Sequence, residues 1–492
     1  MRRETVAARP GWRAENARLG LTYDDSTYWR EGARYVLTAA EIAELEHAAA
    51  TLHEMCVAAG DHIVGTCPRR DRAVRSRHYL DPVCTPDVCL LARFGVPEFA
   101  HAQIIRTWQD GGPETWTHAD KDLDRAYPPQ TPDFSPSVYG RFDLRYDGTG
   151  PPTLLEFNAQ TPTSLLEAAV VQWRWLEGTG GHDQWNGMHE MLVEAWRRNL
   201  TALRRARPWL PEDLTVHFAY ETGETSGEDR MNTAYLQETC RQAGYRTELI
   251  AMSQIGWDTR ADRMVFRGRQ LDVVFALYPW EWMWHEEGGR PILRDLADPA
   301  KRGTVWIEPP WTAALWGNKG LLPVLWQLYR DDPERSRYLL PAWFADERPA
   351  HVTSYALKPL WGREGASTRL IRDGAPLEDA PGPYGAEGFV AQALAPLPAF
   401  GSPHGPMHPV LGVWMVDGEP AGLGIRESAG LITRNDSHFV PHEIELSVPH
   451  EIELSVPHEM EPSAPHEMEP SAPHEIAPSA PANGVPYVIN DA

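Results

Sequence analysis

The sequence predicts an α/β fold of mixed α+β type, and three observations carry that prediction. Residues 214–290 alternate strand-like and helical patterns, the signature of sheet covered by helices. Residues 140–160 read as two strands joined by a tight turn. The 492 residues, 42% apolar and 23% charged, suffice for one large or two ordinary domains with a substantial core.

Taken in order, the first clear helix follows Thr38-Ala-Ala-Glu41, a capping-box pattern. Ile42, Leu45, Ala49, Leu52 and Cys56 then recur at spacings of three and four, giving one apolar face. His53 lies beside that face and reads as a structural histidine.

Gly140 to Gln160 comes next, with turn chemistry from Asp147-Gly148 through Pro152. Alternate residues of a strand share a face, so Arg141 and Asp143 point one way while Phe142 and Leu144 point the other. On the returning strand Glu156 and Asn158 share a face, with Leu155 and Phe157 opposite. If both pairs face the same side, two carboxylates and an amide oxygen converge beside a guanidinium. Hard oxygen ligands of this kind suit Mg²⁺. An adjacent fixed cation is what phosphoryl transfer needs as negative charge spreads over phosphate oxygens. A surface hairpin with a solvated polar face carries the same pattern.

A second helix is expected from Thr161-Pro162, with Thr as N-cap and Pro at the first helical position, running through Leu165, Leu166, Ala169, Val170 and Trp173. Its unpaired N–H groups would help bind an anion such as a substrate carboxylate. Further on, Leu214–Tyr220 is strand-like, Met231–Gly244 helical, Thr247–Met252 strand-like, and Leu271–Leu277 strand-like and wholly apolar. Trp280, Trp282 and Trp284 then alternate on one face and read as core or cleft wall. Lys319 precedes the helical pattern Leu321-Leu322…Val324-Leu325…Leu328, and Lys358 ends the strand-like Tyr355-Ala-Leu. In Gly362–Thr368 two glycines bracket a charged pair, which suits a loop whose backbone approaches phosphates. The loop lacks the Gly-Lys-Ser/Thr ending of a Walker A motif.

After Val440 the composition changes. An eight-residue unit recurs five times from Val440 to Ser479, with Pro at its second position and His442, His450, His458, His466 and His474 at its third. Proline at this frequency opposes helix and central strand, and the low hydrophobicity predicts a disordered tail over 443–492. Residues 1–442 are expected to form the globular part.

Charge and cysteine usage exclude several classes. The net charge of −23 argues against a nucleic-acid partner; ten acidic groups lie in residues 441–492, leaving −13 on the preceding 440. Five scattered cysteines, Cys56, Cys67, Cys84, Cys89 and Cys240, suggest no disulfide framework. Cys84 and Cys89 have no second pair at zinc-site spacing, so a structural metal site is not expected. No apolar leader and no run of about 18 apolar residues occurs, so no membrane partner is expected and the location expected is cytoplasmic.

Gly140-Arg-Phe-Asp143, Glu156-Phe-Asn-Ala159 and Thr161–Ala169 resemble the synthetase module of the glutathionylspermidine synthase family, in its shorter relatives without an amidase domain. Ile307–Thr312, Gly317–Pro323, Leu357–Gly365 and Gly418–Glu427 extend the likeness, in order, from about residue 10 to about residue 442. The resemblance implies an ATP-grasp-like ligase fold with a preceding substrate-binding α/β subdomain. It implies small-molecule substrates, a carboxylate joined to an amine with ATP and Mg²⁺ through an acyl phosphate, with a glutathione-like peptide and a polyamine-like amine as the pair. Asp143, Glu156 and Asn158 match magnesium ligands. Lys319, Lys358, Glu364, Gly365, Phe142, Gln392, Leu431 and Ile432 match nucleotide-contacting positions, as do Arg141 and Asp143. Arg141, Arg363 and Arg426 match arginines around the transferred phosphoryl group, with Gly362–Thr368 as a lid. Thr161 matches a peptide-binding serine, and Glu228-Asp229 is the nearest counterpart of an acidic pair on the acceptor side. The alternative is a nucleotide-binding, non-catalytic module of the same fold, which would be expected to have lost part of this charged set; none of it is missing.

Overall fold

The computed structural model describes residues 1–22, 28–70, 84–111, 135–223, 226–297 and 303–445. Its centre is a six-stranded antiparallel sheet. Along it lie His438–Val440, Glu419–Ser428, the twelve-residue Gly405–Val416, Tyr139–Arg145 and Thr153–Asn158, with Phe400–Ser402 on the end of Gly405–Val416. The reverse face is apolar: Phe142, Phe157, Leu411, Val413, Leu423 and Ile425 share one core with Leu45, Leu52 and Met55 of the helix Ala39–Thr66. That helix begins with Thr38 as N-cap and a complete capping box with Glu41, as its sequence predicts.

The alternating region folds as a four-stranded parallel sheet in the order Val305–Ile307, Val273–Leu277, Thr215–Tyr220, Arg246–Ala251. Val273–Leu277 is buried at every residue, which is why it reads as a continuous apolar run. Met188–Ala206 and Glu228–Gln242 supply the helices. Trp280, Trp282 and Trp284 do not alternate on a strand. They lie on and just after the short helix Trp280–Met283, so Trp280 and Trp284, four apart, are buried while Trp282 is largely exposed.

A second antiparallel sheet, Ala342–Phe344, Phe389–Ala393, Tyr355–Pro359, Thr368–Arg372 and Ala375–Ala380, stands over the polar face of the central sheet; Ala342, Phe344 and Val390 join the main core, while Ala356, Leu370 and Ala380 form a small cluster with Ile432. The cleft between the two sheets holds the candidate site.

Two expectations are corrected by the packing. No helix starts at Thr161-Pro162; helical structure begins at Leu165, whose N–H is taken by Asn232 Oδ1 (2.9 Å), after Ser164 in a left-handed conformation (φ 71°). The Thr163 carbonyl is held instead by Arg141 Nη1 at 2.6 Å. The globular part also runs past residue 442. His442–Ile444 is a strand, parallel to Ala33–Leu37, and Glu443 pairs with Arg34. His442, the first histidine of the repeat, is buried between Gln172 Oε1 (3.0 Å) and the Trp185 N–H (3.2 Å), and burial pushes its pKa down to about 3. It is a neutral core group. The remaining repeats lie outside the described residues. Among the described residues no helix is long and apolar enough to cross a membrane.

Candidate active site

The hairpin places its polar residues as cross-strand neighbours. Arg141 pairs with Asn158 and Asp143 with Glu156, so all four side chains emerge on the cleft face. Arg141 and Asp143 are only 6% and 5% exposed, and a forked contact joins them: Nε to Oδ1 at 2.6 Å, Nη2 to Oδ2 at 3.2 Å. Asn158 Nδ2 lies 3.1 Å from Asp143 Oδ2 and 3.4 Å from Glu156 Oε1. Two carboxylates and one amide thus converge, and turning that amide over presents its oxygen beside theirs. An all-oxygen donor set of this kind fits Mg²⁺.

Glycines make the room. Gly412 lies opposite Asp143 and Gly424 opposite Gly412, which leaves the middle of the face bare. A Cβ on Gly412 would stand 2.7 Å from Arg141 Cδ, so the guanidinium crosses the sheet only because that side chain is absent. Arg141 then lies over the Trp414 ring, 5.4 Å from its centroid. Gly412 was not singled out from the sequence, although an isolated glycine within the apolar run Val410–Trp414 signals a close approach of this sort.

Cations ring the carboxylates. Arg426 Nη2 approaches Asp143 Oδ2 at 3.8 Å, and Lys319 Nζ lies 3.3 Å from Glu156 Oε2 and 2.8 Å from the Gly362 carbonyl. Lys358, on the overlying sheet, reaches down to the Leu155 carbonyl (2.9 Å) and Gln392 Oε1 (2.9 Å), while Gln392 Nε2 donates to the Leu154 carbonyl (2.9 Å). Burial opposes the Glu156 charge, but Lys319, Lys358 and Arg141 outweigh it and hold the carboxyl down at about 2. Burial lowers Lys358 to about 8, with Glu156 working against that shift and Lys319 adding to it.

The loop 362–368 docks on this floor. Arg363 donates to Thr161 Oγ1 and lies over the Trp282 ring at 5.9 Å. Glu364, Gly365 and Ser367 all have positive φ, and a Cβ on Gly365 would fall 2.6 Å from the Thr433 carbonyl. Leu431 and Ile432 close the far wall, their N–H groups held by Glu378 at 2.7 and 3.3 Å. The whole cleft measures about 440 Å³. Its outer end is apolar, with Ala356, Leu370, Leu394, Val410, Leu431 and Ile432. Its inner end collects Arg141, Lys319, Lys358, Arg363 and Arg426 against Asp143, Glu156 and Glu364, an excess of positive charge in a chain of net −23. An apolar slot leading to a cationic end with an oxygen-lined metal position suits a nucleoside triphosphate.

Three of the sequence-predicted residues do not line this cleft. Phe142 is fully buried on the reverse face, stacked on Phe157 at 4.0 Å, so its side chain belongs to the core. Glu228 and Asp229 open the helix Glu228–Gln242 outside the cleft and are only partly buried. Glu228 raises the pKa of Glu167 and of Tyr28, two groups joined by a 2.9 Å hydrogen bond from the Tyr28 hydroxyl. Burial is the larger cause, and Glu167 is pushed up to about 7. Glu167, Arg372 and His408 were not anticipated; the last two line the cleft from strands that carry no distinctive local motif.

The model of the glutathionylspermidine synthase preATP-grasp family matches residues 3–75 and 129–445. A Haemophilus influenzae protein provisionally named an acid–amine ligase is 31% identical over 415 residues, spanning 82% of this chain and 88% of its own. The bifunctional glutathionylspermidine synthetase/amidase of Escherichia coli is 27% identical over 254 residues, 48% of this chain and 38% of that one. The trypanothione synthetase of Crithidia fasciculata is 25% identical over 318 residues, 59% and 44% of the respective chains. This chain therefore belongs to the glutathionylspermidine synthase family of ATP-dependent carbon–nitrogen ligases.

Proposed function

We propose that this protein forms an amide between a peptide-like carboxylate and a polyamine-like amine, using ATP and Mg²⁺ and passing through an acyl phosphate. The observation that carries the reading is the cross-strand pairing of Arg141 with Asn158 and of Asp143 with Glu156, with Lys319 and Lys358 close by and Arg426 beside them on the same sheet. Asp143, Glu156 and Asn158 would hold Mg²⁺, which supplies charge neutralisation on the phosphates. Lys358 and Gln392 anchor the nucleotide side, Lys319 and the Gly362–Thr368 loop cover the phosphates, and Thr161 marks the carboxylate side. Transfer of the γ-phosphoryl group to the carboxylate spreads negative charge that Arg141, Arg426 and Arg363 are fixed to meet, so little reorganisation is needed when it develops. The amine nitrogen then bonds the acyl carbon, the carbon–oxygen bond to phosphate breaks, and the amine gives up a proton.

The acidic group Glu167, Glu228 and Asp229 supports a cationic acceptor. Arg426 acts electrostatically on both Glu167 and the cleft, so these carboxylates lie next to where the acyl group would form. The names of the E. coli and C. fasciculata relatives point to the same classes of acid and amine.

The test is phosphate release from ATP and Mg²⁺ across a panel of peptide carboxylates and polyamines, with mass spectrometry of the product. The expected result is release that needs both partners and a product equal to their sum less water. Nucleotide binding without turnover on any pair would instead favour the non-catalytic module.

A further inference from the structure

We propose that Cys67, Cys84, Cys89 and His101 bind a structural zinc ion in a Cys₃His site outside the catalytic cleft. Spacing along the chain does not suggest the site, because the fold draws its ligands from four different places. Cys67 caps the C-terminal end of the long helix Ala39–Thr66, and Cys84 lies in the segment before Leu90–Arg93. Cys89 occupies the N-cap of Leu90–Arg93 without making a side-chain capping bond. His101 is on the first turns of Glu98–Gly111. One ligand atom from each lies within 4.8 Å of all the others, and Cys67 Sγ is 3.5 Å from Cys84 Sγ. Tetrahedral zinc with Zn–S of about 2.3 Å and Zn–N of about 2.0 Å needs ligand atoms gathered on this scale.

The second observation is the histidine. His101 is fully buried, and its Nε2 sits 2.9 Å from the Val96 carbonyl. A carbonyl only accepts, so Nε2 carries the proton and Nδ1 presents its lone pair. Apart from the neighbouring Cys89 thiol, a weak donor, Nδ1 has no hydrogen-bond partner, a costly arrangement for a buried nitrogen unless something binds it. A backbone carbonyl fixing the tautomer of the other nitrogen is the usual support of a metal-ligating histidine. Cys67 and Cys89 are 1% exposed, so bulk water does not compensate these groups either. A Cys67–Cys84 disulfide would leave Cys89 and His101 with only each other; zinc uses all four.

The ion would tie the end of the long helix to Phe94. The Phe94 carbonyl accepts from Asn318 Nδ2 at 3.0 Å, and its ring fills the space beside Gly320, so the clamp buttresses the turn that carries Lys319.

The test uses the full chain purified without a metal-affinity column. Elemental analysis should find one zinc per chain, and X-ray absorption should show three sulfur and one nitrogen neighbours. Cys89→Ser and His101→Ala should retain zinc at least about tenfold more weakly, while His101→Cys, which restores a fourth ligand, should keep it. Cys240→Ala, outside the cluster, should change nothing in zinc content. Protein that is zinc-free and takes up none on titration would overturn the proposal, as would a Cys67–Cys84 disulfide in the purified chain or zinc that survives loss of both Cys89 and His101.

Discussion

The two walls of the cleft are built differently. The lower wall is the hairpin of the central sheet, whose reverse face is sunk in the main core through Phe142, Leu144 and Phe157. Its charged groups are buried, mutually hydrogen-bonded and crossed by Arg141 in space that Gly412 leaves open. The upper wall is the second antiparallel sheet; its Ala342, Phe344 and Val390 join the main core, Ala356, Leu370 and Ala380 pack with Ile432 in a small one, and its loop 362–368 holds several residues at positive φ. Bonds joining the walls include Lys358 and Gln392 to the Leu154–Leu155 backbone, Lys319 to Gly362, Arg363 to Thr161, and Glu378 to the Leu431 and Ile432 N–H groups. A floor packed on the main core and internally hydrogen-bonded holds its charge in place where charge would develop. The cover contributes a small apolar patch and a loop at positive φ instead of buried carboxylates. The contrast teaches that chemistry should depend on the lower wall and nucleotide capture on the upper.

The largest expected effect breaks the floor. Arg141→Ala should cost on the order of 10²–10³ in kcat with little change in nucleotide affinity, because the guanidinium meets charge that appears only in transfer. Arg141→Lys should recover little, since a point charge cannot reproduce the fork. Steady-state ADP release beside nucleotide binding decides it. Weakened ATP binding with kcat intact would make Arg141 a ground-state clamp.

Removing the support beneath the floor should act on stability. Phe157→Ala deletes a ring stacked at 4.0 Å in the main core and should cost about 3–5 kcal/mol in denaturant unfolding. An unchanged midpoint would show that the hairpin is not anchored there.

The cover should answer in KM. Gly365→Ala puts a Cβ 2.6 Å from the Thr433 carbonyl at φ 70°, adding a clash between the loop and Thr433 to a backbone strain of about 1–2 kcal/mol. The KM for ATP should rise roughly tenfold while the unfolding midpoint stays put. Loss of global stability with KM unchanged would assign the loop to the floor.

Lys358 gives a gentler probe through pH. Its folded pKa of about 8 lies below the ordinary 10.5, so the unfolded chain binds that proton more tightly. The penalty is fully present below pH 8, and this group's contribution to stability improves as pH rises from about 8 to 10.5. Nucleotide capture should run the other way, with the KM for ATP climbing as pH passes about 8 and the ammonium loses its charge. Lys358→Arg should remove that inflection; its persistence would assign it to another group.

The smallest effect concerns the chain end. A chain ending at Glu445 should match the full chain in melting temperature and turnover, whereas one ending at Pro441 loses the strand His442–Ile444 and the buried His442 and should melt several degrees lower. Equal melting of the two would show that this strand contributes nothing.

Much of this was legible along the chain, because strand alternation and capping are local rules. The i, i+2 pairs Arg141/Asp143 and Glu156/Asn158 declared a shared face, and Thr38 with Glu41 declared a helix start. The apolar run at Val273–Leu277 declared a strand buried on both sides. Local rules failed where a partner from elsewhere took the group they relied on. Thr161-Pro162 has the chemistry of a helix start, but Arg141 claims the Thr163 carbonyl and Asn232 the Leu165 N–H. The first repeat unit has tail composition, yet the edge at Ala33–Leu37 recruits His442–Ile444. Tertiary structure alone decided that Glu228 faces Glu167 rather than the cleft, that Gly412 yields its space to Arg141, and that three cysteines meet a histidine. Each is a meeting of residues far apart in the chain, set by packing and burial, and periodicity within a segment carries no record of it.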